Sequence, residues 1–228
     1  MYLLGSPAFF LKAIMKVLSQ VEVKLEWSDL DAMVFHERTN GARSEGVHVS
    51  GILKHIALKM NMFKEEDRQD EFPLRMLLGM GFEEQAARLY ENVWWQPGEY
   101  ALFEGEEGGA VYGWPDGLEA IEEEEREERL PSTDWIVHEF KYTGKSMRGR
   151  EDIRGEWLWM QQVMAYVNML RARGLKSNKG MFHICWKYGD YKYPLTERYV
   201  RYLVEFEEKE LEGNLKMLRA HRSEVMYE

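Results

Sequence analysis

The chain has 228 residues, 45% of them hydrophobic and 13% aromatic, which is long and apolar enough for a sizeable core and excludes a disordered chain. With 40 acidic against 30 basic residues, its formal net charge of −10 argues against a protein that coats nucleic acid unspecifically. Cys185 is the single cysteine, so a disulfide framework and a cysteine-built zinc site are excluded.

The N-terminal run Tyr2 to Leu18 is apolar, but Lys12 and Lys16 interrupt it at helical spacing. It has no basic start and no clear cleavage site, so an amphipathic helix over residues 7–20, opened by Ser6-Pro7, is expected rather than a secretion signal. No stretch approaches about 18 uninterrupted apolar residues, so no membrane partner is expected, and the setting is read as cytoplasmic. Val21 to Trp27 alternates like a short strand. Residues 28–47 have no clear period and contain Arg43.

Ser50 stands where an N-cap is expected, ahead of Ile52, Leu53, Ile56, Met60 and Phe63 at helical spacing, with His48 and His55 flanking that helix start. Pro73 opens the next helix, Leu74 to roughly Asn92. Gly79 and Gly81 lie inside it. Each costs about 1 kcal/mol relative to alanine, which points to another backbone or a phosphate close by. Glu83 and its neighbour Glu84 follow. Glu99 to Glu107 is a charged link, and Ala110 to Ile121 reads as one or two strands around Trp114-Pro-Asp-Gly117. Pro-Asp-Gly is also a turn signature, so a hairpin tip is the competing reading for Asp116. Glu122 to Glu128 is a solvated charge run.

Asp134-Trp-Ile-Val-His-Glu-Phe-Lys-Tyr142 is rich in aromatic and β-branched residues and reads as a strand. Glu139 and Lys141 project from the same face of it. Large apolar residues occur on both faces, as expected for a central strand covered on both sides. That is a costly place for an idle carboxylate and ammonium. Thr143-Gly-Lys-Ser146 imitates the end of a phosphate-binding loop, but Glu139 stands where the pattern needs its first glycine. The better use of the segment is electrostatic. Lys145, Arg148, Arg150 and Arg154 form a local basic patch that can neutralise phosphates beside the strand.

Glu156 to Arg173 is the clearest helix, closed by Gly174. Gln162 and Tyr166, four apart, share one of its faces. Met181 to Tyr193 alternates as a strand pair turning at Gly189-Asp190, Pro194 to Phe206 begins as strand and then passes into helix, and Glu207 to about His221 is a polar, amphipathic helix.

Asp116 in Pro115-Asp-Gly117, Glu139-x-Lys141 on the next strand and Gln162-x-x-x-Tyr166 on the following helix together resemble the PD-(D/E)XK nuclease superfamily. The resemblance is to its RecB-like and lambda-exonuclease-like branches and runs over about residues 43–170. It implies an α/β fold with a restriction-endonuclease-like core, a central mixed β-sheet flanked by helices. A single domain over 1–228 would hold an N-terminal helical part (1–98), the catalytic sheet and Gln162 helix (99–175), and C-terminal strands and helix (176–228).

The activity implied is a metal-dependent DNA exonuclease of phage-type recombination, repair or DNA processing. The alternatives are a structure-specific or nicking endonuclease, and a non-catalytic DNA-binding or assembly protein on the same fold. Hard cations take oxygen ligands, so Mg²⁺ or Mn²⁺ is the implied cofactor. By resemblance Glu83, Asp116, Glu139 and the Phe140 carbonyl are its ligands, and His48 is an extra one. Lys141 would sit near the attacking water, with Gln162 and Tyr166 orienting it or touching the DNA backbone. Arg43 and Ser50 would meet phosphates. Some RecB-like nucleases hold an iron–sulfur cluster through four cysteines; with Cys185 alone, none is expected here. DNA is the expected partner, and the resemblance allows a recombination or annealing protein and a toroidal homo-oligomer beside it.

Overall fold

Asp134 to Thr143 forms one strand, and both of its faces are covered. The computed structural model describes residues 16–23, 46–62, 72–121, 134–145, 152–187 and 197–225. In chain order the strands are β1 (Lys16–Val23), β2 (Val47–His48), β3 (Val93–Trp95), β4 (Tyr100–Leu102), β5 (Val111–Gly113), β6 (Gly117–Ile121), β7 (Asp134–Thr143), β8 (Lys176–Trp186) and β9 (Arg198–Glu205). The helices are α1 (Val49–Lys59), α2 (Phe72–Ala87), α3 (Trp157–Ala172) and α4 (Glu208–Val225).

Six strands make the main sheet in the order β1-β9-β8-β7-β6-β3. The β7–β8 pair is parallel and the other neighbours are antiparallel, so the sheet is mixed. A parallel pair cannot be joined by a hairpin, and α3 supplies the crossover between β7 and β8. Strands β2, β5 and β4 form a separate small sheet. The fold is therefore α/β, a mixed sheet flanked by helices.

Helix α3 is apolar almost all round because it is enclosed almost all round. It packs against the main sheet, α1, α4 and the small sheet, burying Met160, Val163, Met164, Val167, Met169 and Leu170. Each such side chain, fully buried, stabilises the fold by about 1.5–3 kcal/mol. On the opposite face of β7, α2 lays Phe82 and Ala86 over Phe140, Cys185 and Tyr199. Gly174 ends α3 with φ of 79°, the left-handed backbone expected of a glycine at that position.

Five expectations need correction. Pro194 to Phe206 does not pass into helix: Arg198 to Glu205 is strand throughout, because β9 pairs with β8 along its whole length. Residues 16–20, expected in a helix, lie in β1, which pairs antiparallel with β9. Pairing with a strand almost at the other end of the chain outweighs the local helical period, and residues 7–15 lie outside the described residues. The stretch 1–98, read as helical, thus carries β1, β2 and β3 besides α1 and α2. Helix α2 stops at Ala87 rather than near Asn92, because Val93 to Trp95 pair with β6. The Met181 strand starts five residues earlier, at Lys176, since β8 runs beside the full length of β7. Glu122 to Glu128 and the Gly189-Asp190 turn lie outside the described residues.

Candidate active site

Strand β6 begins at Gly117, opposite His138, so β7 runs on past its end. Beyond that point the Phe140 N–H donates to the Asp116 carboxylate at 2.8 Å instead of to a strand. The N–H and C=O of one strand residue leave by the same edge, so the Phe140 carbonyl faces that edge too. Gly117 is needed for a close approach rather than for a turn: a Cβ there would lie 2.7 Å from the Trp95 ring. Trp114 to Asp116 are therefore the short link from β5 into β6, with a bend at Asp116, and that link brings Asp116 against the strand that carries Glu139 and Lys141.

On the α3 face of β7, Lys141 Nζ donates to Glu139 Oε1 and, at 3.2 Å, to Gln162 Oε1. Gln162 Nε2 donates in turn to the Tyr166 hydroxyl at 2.8 Å. Tyr166 is seated against Gly113, where a Cβ would come within 2.7 Å of its ring. Glu139 is 2% exposed, and its Oε2 is buried without a hydrogen-bond partner. Burial pushes the Glu139 carboxyl up to about 8, helped by the charges of Asp116 and Glu83 and opposed by Lys141. Burial acts against the charged Lys141, but Glu139, Asp116 and Glu83 outweigh it and hold the ammonium above its ordinary value. The site thus has more negative charge than one lysine balances.

These groups line one cleft of about 380 Å³, together with Glu83 from α2 and His48 and Ser50 from the α1 end. Glu83 and not Glu84 faces this cleft; Glu84 is tied to Arg88 at 2.8 Å. Among the described residues, no three His, Cys, Asp or Glu side chains already converge on one ion position. The chemistry of the donors nevertheless suits a hard divalent cation: an unpartnered buried carboxylate oxygen, two further carboxylates acting on it, and a free-edged carbonyl. A bound cation would oppose both the burial and the neighbouring negative charge that raise the Glu139 pKa.

The other expected site residues divide. Ser50 is not the N-cap. Helix α1 starts two residues earlier than that cap implies, at Val49, with His48 at the cap position and no side-chain capping bond, because His48 is still held in β2. Ser50 is exposed and lines the cleft. His48 lies 3.9 Å from Glu99, at the cleft wall. Lys145 makes an ion pair with Glu156 and lies 5.1 Å from the centre of the Trp159 ring. Arg43, Arg148 and Arg150 lie outside the described residues. Glu99, Tyr112, Trp114 and Tyr142 line the cleft unforeseen. For Glu99 the one usable signal was the Tyr100-Ala-Leu run after it, which is strand β4 and not part of a link.

A second buried polar system was also missed. Glu119 Oε2 bonds His138 Nε2 at 3.0 Å, His138 Nδ1 bonds His183 Nε2 at 2.9 Å, and His183 Nδ1 bonds the Tyr199 hydroxyl at 2.6 Å. Tyr199 meets the Tyr90 hydroxyl at 2.8 Å. An ionised Glu119 can only accept, so the chain is satisfied with each imidazole neutral, donating to one side and accepting from the other. Burial lowers the pKa of both histidines, most for His183. A depressed folded pKa means the contribution to stability is complete above about 6.5 and lost as pH falls below it. His183→Phe is expected to be destabilised at every pH. Its unfolding midpoint should also fall less steeply than the wild type's between pH 7 and 5, which urea titrations in chelator would show.

No family model matches the chain, and no curated protein matches it significantly. Among solved structures, one titled "Crystal structure of SSO0001" is similar at 14% identity and a TM-score of 0.45, covering 97% of this chain and 90% of that one.

Proposed function

We propose that the chain is a Mg²⁺- or Mn²⁺-dependent deoxyribonuclease with a restriction-endonuclease-like core, and that it acts as an exonuclease. The observation that carries this reading is the Glu139–Lys141–Gln162–Tyr166 hydrogen-bond chain, set beside Asp116 in one cleft with Glu139 Oε2 left open. An idle protein has no use for a buried carboxylate kept at this cost. Asp116, Glu139, the Phe140 carbonyl and Glu83 would hold the cation. When bound, it supplies positive charge for the phosphate oxygens and for the attacking water.

The rest falls to the chain's own groups. The Lys141 ammonium, charged at neutral pH, faces the negative charge that develops on the phosphate and the water. Gln162 fixes the position of that ammonium, and Tyr166 fixes Gln162. The separation of duties matches phosphodiester hydrolysis, in which charge neutralisation and positioning do most of the work.

The test is cleavage of end-labelled linear duplex, single strands and covalently closed plasmid with Mg²⁺ or Mn²⁺. Loss of the linear DNA with the circle spared is the expected result, and the label reports polarity. Cutting of the circle would replace exonuclease by endonuclease. No metal-dependent cleavage of any of them would sink the enzymatic reading.

A further inference from the structure

Beside the cleft is a second pocket of about 220 Å³ that shares Glu83 and Asp116 with it as a common wall. Glu84, Ala87 and Arg88 from the end of α2 and Trp95 and Gln96 from the end of β3 complete it. Drug-sized sites run from about 300 to 1,000 Å³, so this one suits a single small ring system.

Its walls are held in place. The Trp95 indole N–H donates to the Tyr90 carbonyl at 3.3 Å, and the ring packs 5.1 Å from Phe140 and over Gly117. Gln96 has φ of 49°, an uncommon backbone for a residue other than glycine, and its N–H donates to the Asp116 carbonyl at 2.9 Å. The charges select the occupant. Three carboxylates line the pocket and Arg88 is paired with Glu84, so a phosphate is disfavoured and a neutral planar group with N–H donors is favoured.

We propose that this pocket is a base subsite. It takes one unstacked base of the nucleotide adjoining the scissile phosphate, against Trp95 and with its amino edge toward Glu84 and Gln96. The inference rests on the nuclease reading above, because only the shared Glu83 and Asp116 wall ties the pocket to a phosphate. It adds two properties: the strand must be unpaired at the cut, which favours frayed ends, and amino-bearing bases are preferred to thymine there. Stacking on an aromatic ring is tolerant of sequence, so the preference comes from the amino edge.

The test uses the full chain and DNA carrying 2-aminopurine at single positions on either side of the cleaved bond, with Ca²⁺ in place of Mg²⁺ to hold the complex uncut. One position is expected to change fluorescence on binding, and Ala87→Phe, which fills the pocket from the last residue of α2, is expected to abolish that change. In Mg²⁺, an abasic residue at the same position should raise the wild-type KM about tenfold with little effect on kcat. Ala87→Phe should show the raised KM already and be indifferent to the abasic residue. Wild-type cleavage that ignores the abasic residue at every flanking position overturns the subsite while leaving the nuclease reading intact. Absence of any metal-dependent cleavage overturns both. Should Ala87→Phe fail to fold by circular dichroism, the abasic series on the wild type decides alone.

Discussion

Lys141→Ala is expected to slow metal-dependent DNA cleavage on the order of 10²–10³-fold, the loss that follows removal of one preorganised electrostatic group from a transition state. Cation binding should survive and even tighten, because the ammonium that now occupies Glu139 Oε1 is gone. Breaking a buried ion pair usually costs about 3–5 kcal/mol, since a charge is stranded. Here the cost is smaller, because Glu139 is already held near 8 and simply keeps its proton. Calorimetric titration with Mn²⁺ and a thermal melt, run beside the cleavage assay, separate these effects. A variant that cleaves at the wild-type rate would remove Lys141 from the mechanism. A variant that loses cleavage only because it no longer binds Mn²⁺ would reduce Lys141 to a structural partner of Glu139.

The second large effect is on protons. With Glu139 titrating at about 8, the carboxyl is mostly neutral at pH 7, and a divalent cation must displace its proton. Binding of Mg²⁺ is therefore expected to release close to one proton at pH 7 and almost none at pH 9. Apparent affinity should climb up to about tenfold per pH unit below 8. Titration calorimetry in buffers of different ionisation enthalpy measures the release directly, and Glu139→Gln should abolish it. Release that is unchanged in Glu139→Gln would assign the proton to another group.

The same shift acts on stability. Glu139 has a folded pKa raised above its ordinary value of 4.5, so its contribution is complete below about 4.5 and is lost as pH rises through 8. Cation binding reverses that loss, so Mg²⁺ should raise Tm more at pH 8.5 than at pH 6. The His138–His183 pair has the opposite sign and acts below about 6.5, which is why each effect is best read against its own variant.

Much of this site was legible in the chain itself because its parts are local. Strand β7 is marked by its β-branched and aromatic run, and a period of two places Glu139 and Lys141 on one face whatever lies opposite. In the same way, Gln162 and Tyr166 are four apart on a helix, so they share a face before any packing is known. The apolar residues on both sides of β7 already required cover on both sides, which α2 and α3 provide.

What tertiary structure decided is how distant segments meet. Val21 to Val23 alternate as the strand they form, but nothing near Lys16 to Gln20 states that the strand reaches back to pair with β9 across the length of the chain, so the local helical spacing misleads there. Whether Glu83 or Glu84 serves the cleft depends on how α2 rotates over Phe140, and that is set by Phe82 and Ala86 packing. Asp116 becomes a site residue only because β6 begins one position after it, at Gly117, and leaves the Phe140 N–H open to its carboxylate. The Glu119–His138–His183–Tyr199–Tyr90 chain crosses β6, β7, β8, β9 and the turn after α2. It has no sequence spacing to read, since four of its members are drawn together by strand order and Tyr90 by the packing of the turn after α2.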